Sequence, residues 1–321
     1  MALLALKRKD LLSLADLDPD EIHLILEAGA ICKAKQRAGE LFVPLLGKTL
    51  GMIFHKPSAR TRLSFDIGMY QLGGHSVLSR DEEIGLDKRE PVEDVARLFS
   101  RYMDAVVIRT FDHDLLTRFA EKASIPVING LTDFSHPCQI LADMMTIREQ
   151  KKKLKGIKVT FIGDGNNVAN SWAFGAGKMG MHLTVASPKG YELLPDVLRE
   201  AQEYAKESGG SITLTNSPVA AATGADVLYT DVWTSMGQEE ESRERLAAFE
   251  GFQIGEPLMK RAAPDAIAMH CLPAHRGEEI TAETMERFQK VIFDEAENRM
   301  HVQKGLMVLM MGKPDIFQLK G

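Results

Sequence analysis

Leu50-Gly51-Met52-Ile53-Phe54-His55-Lys56-Pro57-Ser58-Ala59-Arg60-Thr61-Arg62 carries the chain from a strand straight into a helix. The apolar run Leu50–His55 has strand character, and the pattern over Arg60–Leu72 has helical spacing that stops at Gly73-Gly74. Ser58 fits the N-cap, where its hydroxyl accepts a first-turn amide. The charges are wrong for a helix start that only holds structure. A helix N-terminus carries about half a positive charge and favours Asp or Glu, yet Lys56, Arg60 and Arg62 gather there. A phosphate on the free amides, gripped by a bidentate arginine, removes the conflict.

The alternation continues outward. Strands are expected at Ala105–Ile108, Pro126–Asn129, Lys158–Gly163, His182–Ala186, Val227–Thr230, Ala266–Cys271 and Val291–Phe293. Helical patterns fall at Val92–Tyr102, His113–Lys122, Gln139–Gln150, Leu193–Ser208, Arg243–Phe249 and Thr281–Phe288. Strands separated by helices predict an α/β fold with parallel sheets and sites at the strands' carboxyl ends. A chain of 321 residues is long enough for two domains. The basic run Lys151-Lys152-Lys153-Leu154-Lys155-Gly156 is the best candidate boundary.

Charge and cysteine content narrow the function classes. Lys and Arg total 39 against 45 Asp and Glu, a net charge of −6, which argues against a general nucleic-acid binder or a membrane-surface protein. Any anion site must be local. Cys32, Cys138 and Cys271 are odd in number and far apart, so a reducing, cytoplasmic compartment is expected rather than a disulfide framework. Met1–Leu6 is too short for a signal-peptide core, and no apolar run approaches the ~20 residues of a membrane helix.

Further candidate segments follow along the chain. Phe134-Ser135-His136-Pro137-Cys138-Gln139 opens a helix at a proline, with His136 and Gln139 in a first turn that can donate to a carbonyl oxygen, or simply cap the helix. Arg109 ends the run Val106-Val107-Ile108 and is suggestive only in company. Gly163-Asp164-Gly165-Asn166-Asn167-Val168 has two glycines of a dinucleotide fingerprint, but Val168 replaces the third and Ser187-Pro188-Lys189 lacks the acidic residue that would hold a ribose. Asp231-Val232-Trp233-Thr234-Ser235-Met236-Gly237 puts a carboxylate at a strand tip, followed by a loop in which Trp233 and Met236 are expected to be exposed. His270-Cys271-Leu272-Pro273 ends a strand. Adjacent strand residues face opposite ways, which counts against a shared zinc, and nothing aims a histidine at Cys271 as a nucleophile's base. Glu297-Asn298-Arg299 precedes an apolar helix from Val302 to Met310.

Taken in order, Ser-x-Arg-Thr-Arg (58–62), His-Pro-Cys-Gln (136–139), Asp-x-x-x-Ser-Met-Gly (231–237) and His-Cys-Leu-Pro (270–273) make the whole chain resemble the ornithine carbamoyltransferase family. The resemblance implies two α/β domains, each with a parallel sheet flanked by helices. A carbamoyl-phosphate domain would span 1–150 and an ornithine domain 151–295, with the final helix (296–321) returning to the first. It implies a trimer, or multiples of one, with active sites at subunit interfaces, and transfer of a carbamoyl group to ornithine's δ-amine without metal or organic cofactor. Carried over by position, Ser58, Ala59, Arg60, Thr61 and Arg62 hold the phosphate. Arg109, His136, Gln139, Arg299 and the backbone at Cys271 and Leu272 hold the carbamoyl group. Asn167, Asp231, Ser235 and Met236 hold ornithine, with Cys271 near the attacking amine; Leu272-Pro273 is expected to be cis. The pattern departs from the family at three places: Ala59 for a common threonine, His55 for a common glutamate, and Glu83 where relatives place a glutamine reaching a neighbour's phosphate. A carboxylate at Glu83 would repel phosphate unless it were protonated, or paired with a cation such as Lys88 or Arg89. The alternatives are a sister enzyme using putrescine, aspartate or an acylated ornithine, a non-catalytic trimeric metabolite-binding protein, and, disfavoured by Val168, a dinucleotide oxidoreductase.

Overall fold

The computed structural model describes residues 5–55, 58–80, 84–234, 241–313 and 316–317. It divides the chain into two compact units, residues 1–145 with 298–321, and residues 146–297. Unit 1 runs α1 (Pro19–Arg37), β1 (Thr49–Phe54), α2 (Ala59–Gln71), β2 (His75–Arg80), α3 (Val92–Tyr102), β3 (Ala105–Arg109), α4 (His113–Lys122), β4 (Val127–Leu131) and the first part of α5 (Pro137–Lys151). Unit 2 carries β5 (Lys158–Ile162), α6 (Asn167–Lys178), β6 (His182–Ala186), α7 (Pro195–Ser208), β7 (Ser211–Thr215), α8 (Pro218–Ala222), β8 (Val227–Thr230), α9 (Ser242–Ala248), α10 (Glu256–Met259), β9 (Ile267–His270) and α11 (Ala282–Arg287). The last helix, α12 (Gln289–Met311), ends in unit 1.

Both sheets are wholly parallel, ordered β2-β1-β3-β4 in unit 1 and β7-β6-β5-β8-β9 in unit 2. The central strand Ala-Val-Val-Ile-Arg of β3 is buried at every residue, because helices cover both faces of such a sheet. Around it, Ile53, Val106, Ile108, Phe99, Leu116 and Phe119 form one apolar cluster. In unit 2 the Tyr229 ring stacks on Phe161 at 5.7 Å and meets Trp172 edge-on at 5.3 Å.

The topology fixes where ligands go. From β1 the chain crosses to β2 on one side and then to β3 on the other, so the loops after β1 and β3 open a crevice at a switch point. In unit 2 the same reversal lies between β5 and β8.

Some sequence expectations need correction. Val291–Phe293 is not a strand but the first turn of α12; Ile292 there begins a buried series continued by Val302 and Leu306 at helical spacing. Two strands were not read at all. Both β2 (His-Ser-Val-Leu-Ser-Arg) and β7 (Ser-Ile-Thr-Leu-Thr) are sheet edges that bury little, so their polar residues hid them. The 19-residue helix α1 was also missed, although Pro19 at its start and Glu21, which accepts the Asp18 amide at 2.9 Å, form a capping pattern. Among the described residues no helix is long and apolar enough to cross a membrane.

Candidate active site

Unit 1 places its polar groups on the loops of its switch point. Ser58 caps α2, its hydroxyl accepting the Thr61 amide at 3.3 Å and donating to Thr61 Oγ1 at 3.1 Å. That Thr61 oxygen is buried and also accepts from Arg299 at 3.0 Å and Arg109 at 3.5 Å. One threonine thus joins α2, the end of β3 and α12. His55, in the glutamate's place, puts Nδ1 3.0 Å from Thr110 Oγ1.

The electrostatics of this cluster are unfavourable as it stands. Arg109 is 6% exposed; burial first, then repulsion from Arg299 and Arg60, drops its pKa to about 10. Burial, then Arg299, Arg109 and Arg60, hold His136 well below the usual imidazole value, so it is neutral at neutral pH. The charges that act on the two groups are those of neighbouring arginines. Gln139 is buried in the first turn of α5 and donates to Asp143 at 2.8 Å. Arg60, Arg62 and Ala59 are exposed, and the charge of Arg60 reaches the cluster.

Unit 2 builds a second group of residues. Asn166 caps α6, accepting from the Val168 and Ala169 amides at 2.9 and 3.2 Å, and its amide donates to Asp231 at 3.1 Å. Asp231 follows β8, is 8% exposed, and also accepts from Cys271 Sγ at 2.9 Å and the Val232 amide at 2.8 Å. Asn167, assigned to ornithine on resemblance, is the first residue of α6.

After β9, His270 Nδ1 accepts the Leu272 amide at 2.8 Å. The ring proton therefore sits on Nε2, which donates to buried Glu279 at 2.9 Å. This clamp holds a turn in which Leu272 has φ of +59° and Leu272-Pro273 is cis. His270 is thus occupied, and Cys271 is paired to Asp231 rather than to a histidine.

Trp233 is buried, contrary to expectation, because its ring stacks on Phe249 at 5.4 Å. Arg245 ties the same turn, reaching the Trp233 carbonyl at 3.1 Å and Asp164 at 2.8 Å. The two-glycine turn has a packing reason: a Cβ on Gly165 would meet the Glu192 backbone at 2.4 Å. Lys56, Glu83, Ser235 and Met236 lie outside the described residues. Sequence reasoning missed Glu279, Arg245 and the Asn166–Asp231 bond; the cap residue Asn166 was legible, but the distant partners left no periodic signal.

Two family models match, the aspartate/ornithine carbamoyltransferase carbamoyl-P binding domain over residues 9–149 and the Asp/Orn binding domain of the same enzymes over residues 155–310. The chain belongs to the aspartate/ornithine carbamoyltransferase family. Ornithine carbamoyltransferase of Anoxybacillus flavithermus is 50% identical over 97% of this chain and 99% of its own. The anabolic ornithine carbamoyltransferase of Pyrococcus furiosus is 49% identical over 96% and 98%. Among solved structures, the P. furiosus ornithine carbamoyltransferase superposes with a TM-score of 0.92 at 49% identity, covering 94% of this chain and 96% of that one. An anabolic ornithine carbamoyltransferase from Campylobacter jejuni gives 0.89 at 39%, covering 94% and 99%. The carbamoyltransferase family model for carbamoyl-P binding covers the cationic cluster up to Gln139, and the other covers Asp231 and Cys271.

Proposed function

We propose that the protein catalyses attack of ornithine's δ-amine on carbamoyl phosphate, giving citrulline and phosphate. The observation that carries this reading is the buried group of Arg109, Arg299 and neutral His136, in which the charges of Arg299 and Arg60 act against both Arg109 and His136. Such a cluster needs an anion, and it sits at the carboxyl ends of β1 and β3 beside the α2 N-terminus.

In this reading Ser58, Arg60, Thr61 and Arg62 hold the phosphate. Arg109, His136, Gln139, Arg299 and the Cys271-Leu272 backbone hold the carbamoyl group. Charge grows on the carbonyl oxygen as the amine attacks, and Arg60, Arg109 and His136 donate to it. Asp231, steadied by Asn166 and Cys271, takes the amino acid's α-ammonium group together with Asn167, Ser235 and Met236. A free δ-amine of pKa about 10.4 is neutral in only about one molecule in a thousand near pH 7.4, a cost of about 4 kcal/mol unless desolvation lowers it. The departing phosphate accepts the amine's proton, so no separate general base is required. The acyl phosphate is already activated, and the reading calls for no metal or organic cofactor.

The active assembly in this reading is a trimer. Leu63, Ile67 and Tyr70 are 52%, 42% and 79% exposed on one face of α2, an apolar stripe that starts three residues after Arg60 and so brings a subunit contact beside the phosphate. Three unbridged, buried cysteines fit a cytoplasmic location. The test is citrulline formation from carbamoyl phosphate and ornithine, with putrescine and aspartate as competing acceptors. Faster turnover of either alternative amine would overturn the substrate assignment.

A further inference from the structure

Helices α1, α2 and α12 also contribute to a pocket of about 290 Å³ lined by Cys32, Lys35, Gln36, Phe42, Gln71 and Lys304, among others. Lys304 is 3% exposed. Its ammonium donates to Gln36 Oε1 at 2.8 Å and Gln71 Oε1 at 2.9 Å, which leaves its third N–H uncommitted. Among the described residues, the other ionisable group that acts on it is the Cys32 thiol, itself pushed up to about 12 by burial and therefore neutral. A buried cation without a counter-charge is costly, and burial lowers the lysine's pKa accordingly.

The lining also includes the Glu40 carboxylate, whose charge Lys35 offsets. Lys35 is already paired with Glu40 at 2.7 Å and lies over the Phe42 ring. With both glutamine oxygens taken by Lys304, each amide NH2 group remains a donor. The helix-end carbonyls that would attract a cation are spent: those of Ala34, Lys35 and Gln36 accept from Ala38, Glu40 and Gly39, and those of Gly68, Met69 and Tyr70 from Leu72, Gly74 and Gly73. The pocket therefore has one net positive charge, several uncommitted donors, and an aromatic side. Its volume is at the low end of the ~300–1,000 Å³ of ligand pockets.

We propose that this pocket binds a small organic monocarboxylate on the Lys304 ammonium. The aromatic side and single charge favour a carboxylate with a short apolar body over phosphate.

Two measurements test this. Crystals soaked in 3-bromopropionate should show bromine anomalous density in the pocket, with the carboxylate within hydrogen-bond distance of Lys304 Nζ. In phosphate buffer, which also loads the Ser58–Arg62 region, propionate at about a hundredfold excess over its Kd should raise the Tm by several degrees. Lys304→Met should abolish that rise. Should the methionine variant fail to fold, Gln71→Leu, with a weakened rise, takes its place. Absence of bromine at Lys304, an equal propionate effect in both proteins, or phosphate density in the pocket in place of the carboxylate would each overturn the assignment.

Discussion

At the scale of single residues, the site holds an electrostatic conflict that the proposed anionic substrate would resolve. Arg109 and His136 are buried among like charges, so removing a charge should help the free protein while harming the reaction. Arg109→Met is expected to keep or raise the Tm of the free protein and to lose about 10²–10³ in turnover; a variant of near-normal rate would remove Arg109 from the chemistry. His136 carries a pH signature. Its folded pKa lies below the unfolded value of about 6.5, so the unfolded chain binds the extra proton. The stabilisation is complete above about pH 6.5. It falls as pH drops, by up to about 1.4 kcal/mol per pH unit, until the folded pKa is reached. Half-buried His113 contributes with the same sign. Urea unfolding of His136→Gln between pH 7.5 and 5 should show a shallower loss than the parent, and identical slopes would refute the assignment. Arg60 was legible in the sequence because its charge contradicts its helix terminus. The His270–Glu279 clamp was not, because its partners sit nine residues apart in an irregular segment where no period of 2 or 3.6 operates.

At the scale of elements, the N-terminus of α2 is capped by Ser58 and, in the proposed reading, also holds the phosphate, and one substitution can separate the two. Ser58 satisfies the Thr61 amide, and an aspartate caps a helix about as well as serine while favouring its dipole. Ser58→Asp should therefore hold the Tm within about 0.5 kcal/mol of the parent's stability but place a carboxylate where the phosphate belongs. A tenfold or greater rise in the KM for carbamoyl phosphate, with the ornithine KM little changed, is expected from steady-state kinetics. An unchanged KM would show that the anion does not sit at this cap. Elements read well where burial and period agreed: β6, β8, α3 and α4 have the bounds read from the sequence. The edge strands β2 and β7 failed because an exposed face needs no apolar residues. Trp233 failed for a tertiary reason, since the ring that covers it, Phe249, lies across a loop.

At the scale of the whole molecule, α12 closes unit 1 by pressing against α1: a Cβ on Gly305 would meet the Gly29 nitrogen at 2.5 Å, so this contact tolerates only glycine. That return from the chain's end was implied by family resemblance, not by any pattern along the sequence, because a long-range contact leaves no local period. The packing presents Arg299 from α12 to Thr61 on α2, which leaves the opposite stripe of α2 uncovered. Leu98 and Tyr102 of α3 are also exposed, at 43% and 71%. Exposed large apolar residues at helical spacing are expensive in water unless another chain covers them. Replacing Ile67 and Tyr70 together by glutamate removes no internal contact of consequence, so each chain should still fold. The parent is expected to sediment at about 106 kDa, three times the 35.5 kDa chain, and the variant as a monomer. Because the stripe starts one turn from Arg60, dissociation should also lower citrulline formation at least tenfold. A variant that stays trimeric, or a monomer of full activity, would separate assembly from catalysis and defeat the proposed interface.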